Sequence, residues 1–310
     1  MTDPASEGAE HDARYGPVRV IGGARGGRYP QGNSLLVEGE RETIVIDPSL
    51  GVIARRDELP RVDRVINSHC HEDHIAGNHL FADVPWHVHV LDRPGFADLD
   101  GMMAIYGYGG AIEDAFRKAV VDQFHYRPRP DAIPYQDGDV FDLGGVTITA
   151  HHTPGHTRGH CCLSIEWREG ATTRRLVYLG DIELTSFGPY YGDAWSDLED
   201  FERSLTRVRA IRADWYATFH HIGVLAGREA FLARLDVFEA KIAEREQRLL
   251  GFLAEPRSLE EVAAHRFVYR PQDPVPFAEA VERRSMGMHI DRLLRDGRVE
   301  RVDGGRYRAR

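Results

Sequence analysis

No stretch of this chain approaches the roughly 18 to 20 consecutive apolar residues that a bilayer-crossing helix requires, so the sequence reads as a soluble protein. Cysteine is scarce as well. Only Cys70, Cys161 and Cys162 occur, two of them adjacent, which excludes a disulfide framework and fits a reducing cytoplasm. Met1 to Tyr15 are polar and acidic and lack the basic start and apolar stretch of an export signal. The expectation is a disordered tail over residues 1–16 and a cytoplasmic location. Positive charge is also in short supply, with Lys+Arg 39 against Asp+Glu 49 and a net charge of −10. Divided at Pro256, the first part holds 27 Lys+Arg against 40 Asp+Glu and the last part 12 against 9. An acidic body disfavours a nucleic-acid substrate, because phosphate contacts need clustered basic groups.

What is present is a 310-residue chain, 42% hydrophobic, with enough material for a sizeable core. Its most telling segment is Ser68 to Gly77, where His69, His71, Asp73 and His74 fall within six residues. The preceding Val62 to Ile66 reads as a short buried strand. His69 and His71 therefore leave its end two residues apart with side chains on one side, where one metal ion takes both rings. Asp73 and His74, an adjacent carboxylate and imidazole on an irregular turn, aim at a second position nearby. The spacing suggests two ions.

This H-x-H-x-D-H pattern resembles the metallo-β-lactamase superfamily of metallohydrolases, and the resemblance extends over residues 17 to 250. Ile44 to Asp47 resembles the family's first motif, in which the aspartate supports the metal loop from behind, a role that falls to Asp47. Thr153 to Thr157 resembles the third, where Pro and Gly force a turn that points His156 into the site. Leu176 to Asp181 resembles the fourth, whose carboxylate bridges the two ions, here Asp181. Trp215 to Phe219 ends in His220 and His221 where the family supplies its last histidine. The usual His-Gly is written His220-His221-Ile222-Gly223, which leaves the register open, with His220 preferred because it directly ends the strand.

The resemblance implies an α/β fold of αββα type, with metals at strand ends between two sheets. Strand-like runs at Val18 to Ile21, Ser34 to Glu38, Thr43 to Ile46, His87 to Val90, Val146 to Ala150 and Cys161 to Ile165 accord with it. Two amphipathic helices are predicted, one capped at Ser196 with Leu198, Phe201, Leu205 and Val208 on one face, the other over Arg228 to Leu250. Met102 to Val121 interrupts the strands with Gly107-Tyr108-Gly109-Gly110 and a helix. Tyr106 and Tyr108 there would form a lid or substrate wall, or else a plain connection. Tyr190, Tyr191 and Trp195, after the bridging aspartate, are candidates to line the pocket or the core.

The expected catalytic domain covers residues 17–255. Over 256–310, two helices, one capped at Ser258 and one spanning Ser285 to Arg295, and a hairpin from Arg298 to Arg308 resemble a small winged-helix domain. That module would bind nucleic acid through Arg292, Arg295 and Arg298, or pack on the catalytic domain or form a homodimer. The weak positive charge favours the latter pair.

As a whole the resemblance implies a zinc hydrolase of a small acyl substrate (thioester, ester or lactone) similar to the glyoxalase II and lactonase branches. Two zinc ions would supply a hydroxide nucleophile, with Asp73 passing a proton to the leaving group. Iron or a mixed pair is the alternative metal content. The competing functions are a mononuclear iron persulfide dioxygenase using His69, His71, His156 and Asp181, and a metal-dependent RNA phosphodiesterase.

Overall fold

A computed structural model describes residues 12–310. Two sheets pack face to face. The first runs β1 (Ala13–Tyr15), β2 (Val18–Ile21), β3 (Ser34–Glu38), β4 (Thr43–Ile46), β5 (Arg64–Ile66), β6 (Trp86–His89) and β7 (Ile133–Tyr135), in that order. It is antiparallel as far as β4 and parallel from β4 to β7. The second comprises β8 (Val140–Asp142), β9 (Val146–His152), β10 (Cys161–Glu169), β11 (Thr172–Tyr178), β12 (Trp215–Ala217) and β13 (Val224–Ala226). Only β11 and β12 are parallel within it.

Strand alternation sorts side chains into layers. Ile44 and Ile46 enter the core between the sheets with Leu163, Ile165, Leu176 and Tyr178. Val45 turns outward to meet Val88, Met102 and Ile105 under the first helical layer. Cys162 and Val177 turn the other way, onto Leu198, Phe201, Leu205, Phe231 and Phe238 of the Leu198–Ala210 and Arg228–Phe252 helices. Helices thus cover both outer faces, giving the expected αββα sandwich.

Several local expectations are corrected. Ala13–Tyr15, read as part of the tail, pair with β2 as an edge strand, while residues 1–11 lie outside the described residues. Asp197, not Ser196, caps the Leu198–Ala210 helix by accepting from the Asp200 N–H. Ser196 instead donates to the His156 carbonyl at 2.8 Å. The helix read after the Gly107-Tyr108-Gly109-Gly110 run is present as Gly110–Asp122, and a second, unexpected helix, Leu99–Tyr106, precedes it and ends at Gly107 with φ +59. The last helix starts at Ala278 rather than Ser285.

Beyond the long helix, the Ser258-capped helix Leu259–His265, the helix Ala278–Arg295 and a hairpin of β14 (Val299–Val302) and β15 (Arg306–Ala309) surround a small core of Leu249, Leu253, Val262, Met286 and Leu293. Glu282, fully buried, accepts from the backbone N–H groups of Phe267, Val268 and Tyr269 at 2.8, 2.9 and 2.8 Å. It thereby anchors the connection between those two helices.

The arginines that suggested nucleic-acid contact are paired with carboxylates, Arg292 half-buried and Arg295 and Arg298 exposed. Arg292 pairs with Glu202 at 2.9 Å and with Glu246, Arg295 with Glu199, and Arg298 with Glu246 at 2.8 Å. Bonds from His289 and Arg292 outweigh burial and lower the Glu246 pKa from 4.5 to about 2. A carboxyl depressed on folding stabilises the fold in full above its unfolded value and less as pH falls towards its folded one. Glu246→Gln should therefore be less stable than the parent at neutral pH, with the difference closing between pH 4.5 and about 2. Denaturant titrations across that range check the sign.

Candidate metal centre

The site forms where strands of both sheets end. Asp47 follows β4, His69 to His74 follow β5, His156 lies between β9 and β10, Asp181 follows β11 and His220 follows β12. Gly180 holds a positive φ of +54, and a Cβ there would meet the His160 ring at 2.6 Å, so the Gly-Asp turn needs its glycine. His160 Nε2 in turn accepts the Asp181 backbone N–H at 3.2 Å. Burial and the nearby His156 push His160 down to about 3, keeping the ring neutral for that task.

All seven proposed ligands converge and are buried. His69, His71, His156 and Asp181 present donor atoms within 4.8 Å of one another, as do Asp73, His74 and His220. Asp181 faces both groups. Its Oδ2 lies 3.0 Å from His156 Nε2 and 3.9 Å from His69 Nε2, while its Oδ1 lies 2.9 Å from His74 Nε2 and 3.9 Å from His220 Nε2. His220 Nε2 is also 3.0 Å from Asp73 Oδ2. His221 points elsewhere, exposed, with Nε2 3.9 Å from Glu183.

Each ring is fixed from its outer side. Nδ1 of His74 meets Asp47 Oδ2 at 2.8 Å, Nδ1 of His156 the Tyr190 carbonyl at 3.0 Å, and Nδ1 of His220 the Gly27 carbonyl at 2.8 Å. Nδ1 of His69 faces Ser68 Oγ at 3.0 Å. The opposite nitrogens are thereby turned inward. His71 is reversed, with Nε2 3.1 Å from Asp193 and Nδ1 2.9 Å from His156 Nε2. At the centre, His69 Nε2, His74 Nε2, Asp73 Oδ2 and Asp181 Oδ1 are buried without a hydrogen-bond partner. Native interiors rarely leave such atoms unmatched, and nitrogen plus carboxylate donors with outer-side partners suit a metal ion. Burial opposes charge on the rings, yet Asp181 and Asp73 outweigh it and raise His220 to about 10 and His74 well above its ordinary range. The pocket calls for positive charge.

Asp47 holds this loop from behind. It adopts a φ of 47 and accepts from the Ser68 N–H at 2.7 Å and the Tyr178 hydroxyl at 2.8 Å, besides facing His74. Asparagine keeps the shape but cannot accept through its amide nitrogen. Asp47→Asn should lower metal affinity or activity by about 10- to 100-fold, as for other outer partners of ligating histidines, measured by metal titration of the stripped protein.

The centre opens into a cavity of about 1090 Å³. Tyr106, Tyr108 and Tyr190 line it. Tyr191 and Trp195 do not: the Tyr191 hydroxyl faces His289 at 3.0 Å, and Trp195 packs in the core under the Arg158 guanidinium. Two acids went unnoticed in the sequence. Asp193 orients His71, and Glu72 accepts from the Tyr29 hydroxyl at 2.8 Å and from Tyr106. Both act through folds of the chain that no local spacing records, although the Glu72 position inside the histidine motif was a signal.

The sandwich and its buried His/Asp cluster at the strand ends define a candidate metal-binding protein. The chain belongs to the Metallo-beta-lactamase superfamily, whose profile matches residues 27–220. It is 28% identical over 207 residues to an atrochrysone carboxyl ACP thioesterase of Aspergillus fumigatus, covering 63% of this chain and 52% of that one. It is 26% identical over 175 residues to an acyl-coenzyme A thioesterase of Homo sapiens, covering 50% and 60% respectively. The chain thus spans a little over half the length of these relatives. A metallo-beta-lactamase family protein from Thermus thermophilus shares the fold with a TM-score of 0.69 at 21% identity, covering 96% of this chain and all of that one. No helix of the described residues is long and apolar enough to cross a membrane.

Proposed function

We propose that the protein is a two-zinc hydrolase of acyl thioesters. The observation that carries the reading is the Asp181 carboxylate, whose two oxygens face two separate donor sets on the floor of one large cavity. Thioesters are preferred over esters and lactones because two of the relatives are thioesterases. His69, His71 and His156 would hold one ion and Asp73, His74 and His220 the other, with Asp181 shared. Zinc fits these nitrogen and carboxylate donors, and when bound it would acidify a water molecule and polarise the acyl carbonyl.

The remaining work falls to side chains. Asp73 takes the proton released by the attacking water and delivers it to the departing sulfur. The water oxygen bonds to the acyl carbon, the carbon–sulfur bond breaks, and a thiol and a carboxylic acid leave, the acid losing its proton to solvent. Tyr106 stacks on His71, with ring centroids 5.2 Å apart, and walls the site against bulk water. Tyr108 stacks in turn on Phe277, which supports a fixed wall here over a moving lid. The pairing of Arg292 and Arg295 with Glu202 and Glu199 of the Leu198–Ala210 helix supports a C-terminal module that packs on the catalytic part, and the carboxylate partners of all three arginines disfavour a nucleic-acid substrate.

Elemental analysis joined to a panel of thioester, lactone, β-lactam and RNA substrates tests the reading. Two zinc ions per chain and preferred thioester turnover are expected. A single iron with oxygen-dependent persulfide turnover, or salt-sensitive RNA cleavage, would overturn it.

A further inference from the structure

The cavity above the metal centre is large for a small acyl group, lying at the top of the range usual for ligand pockets, ~300–1,000 Å³. Its walls carry both apolar and cationic side chains. Tyr29, Phe187 and Val237 are among the few exposed large apolar side chains, and all three line this one cavity. Val275 and Phe277, from the connection anchored by Glu282, join them. The C-terminal segment therefore supplies apolar surface to the catalytic cavity, which the catalytic sheets alone would leave open on that side.

Four arginines also line the cavity; Arg25 donates to the Tyr29 carbonyl, which leaves Arg28, Arg234 and Arg270. This protein is acidic, and its arginines are extensively paired with carboxylates, yet none of these three has an ion-pair partner among the described residues. They come from three different parts of the chain: the loop before β3, the long helix and the C-terminal connection. Arg28 and Arg270 are exposed and Arg234 half-buried, whereas the metal-site acids are buried. Guanidinium groups thus occupy the accessible part of the cavity and the carboxylates its floor. Unpaired guanidinium groups recognise phosphate by charge-assisted hydrogen bonds.

We propose that this cavity takes thioesters of a phosphopantetheine arm, with the acyl chain against Phe187, Val237, Val275 and Phe277 and the phosphate held by Arg28, Arg234 and Arg270. The assignment rests on the thioesterase reading and adds to it the part of the substrate that is recognised. The phosphate-bearing arm can come from coenzyme A or from a carrier protein, and its phosphate is common to both.

The test compares one acyl group, octanoyl, on pantetheine, on 4′-phosphopantetheine and on coenzyme A. The phosphorylated thioesters should exceed octanoyl-pantetheine in kcat/KM by at least about tenfold, the effect of one charged hydrogen bond. In the combined Arg28→Ala, Arg234→Ala, Arg270→Ala variant that ratio should fall towards one. Calorimetric titration with a thioether of coenzyme A, which cannot be hydrolysed, should show binding that weakens with salt in the parent and is lost in the variant. A further gain from 4′-phosphopantetheine to coenzyme A identifies the free cofactor as the source, and equal rates identify the protein-bound arm. Hydrolysis of all three thioesters at equal efficiency by the parent would overturn this assignment and leave the thioesterase reading standing. Hydrolysis of none would overturn both.

Discussion

His71→Ala and His156→Ala proteins are expected to lose bound metal and hydrolysis together. The two rings face each other at 2.9 Å and both bear on the space beside Asp181. Alanine removes a donor that no neighbour can replace, since the outer partners, Asp193 for His71 and the Tyr190 carbonyl for His156, are committed on the far side of each ring. The loss should exceed the 10- to 100-fold seen for outer partners of ligating residues, so about 1,000-fold or more in kcat/KM. Metal content by elemental analysis, read beside kinetics and a thermal melt, separates loss of the ion from loss of the fold. A metal-free His71→Ala protein with full activity would refute the proposed chemistry.

Asp181→Asn should be at least as damaging, and for a different reason. The carboxylate is held ionised, well below its ordinary pKa; burial opposes this, but His74, His220 and His156 prevail. Asparagine is nearly isosteric, so the packing around Gly180 and His160 survives while the charge shared by both donor sets is gone. Metal stoichiometry is expected to fall from two to one or fewer per chain, with kcat/KM down by about 1,000-fold, some 4 kcal/mol of transition-state stabilisation. Retention of two tightly held ions would show that the donor sets do not depend on a shared carboxylate.

Most of the site was legible because its ligands either crowd one motif or end a recognisable strand. His69, His71, Asp73 and His74 need only their own spacing to be found, and Asp181 and His220 each follow directly on a run of apolar residues. Asp193 had no such mark. It orients His71 from a segment far along the chain, and only tertiary packing brings the two within 3.1 Å. Tyr191 and Trp195 carried the opposite difficulty: aromatic residues near a site read alike whether they face the cavity or the core, and irregular backbone gives no alternation to separate them. The start of the last helix was misplaced because Glu282, a charged residue in its first turns, is buried by the backbone donors it satisfies rather than exposed. The pairing of β1 with β2 was missed because a three-residue edge strand carries too little pattern to stand out from a polar tail.

That same Glu282 couples one wall of the cavity to the seating of a helix. Three main-chain donors on one carboxylate tie Phe267 to Tyr269 to the Ala278–Arg295 helix, whose N-cap is Phe277. The distance from Phe277 to the opposite side is then a mechanical property of where that helix seats, like the jaw of a calliper. Substitutions at its buried contacts, such as Met286 or Leu293, reset the gap without touching a ligand-lining residue.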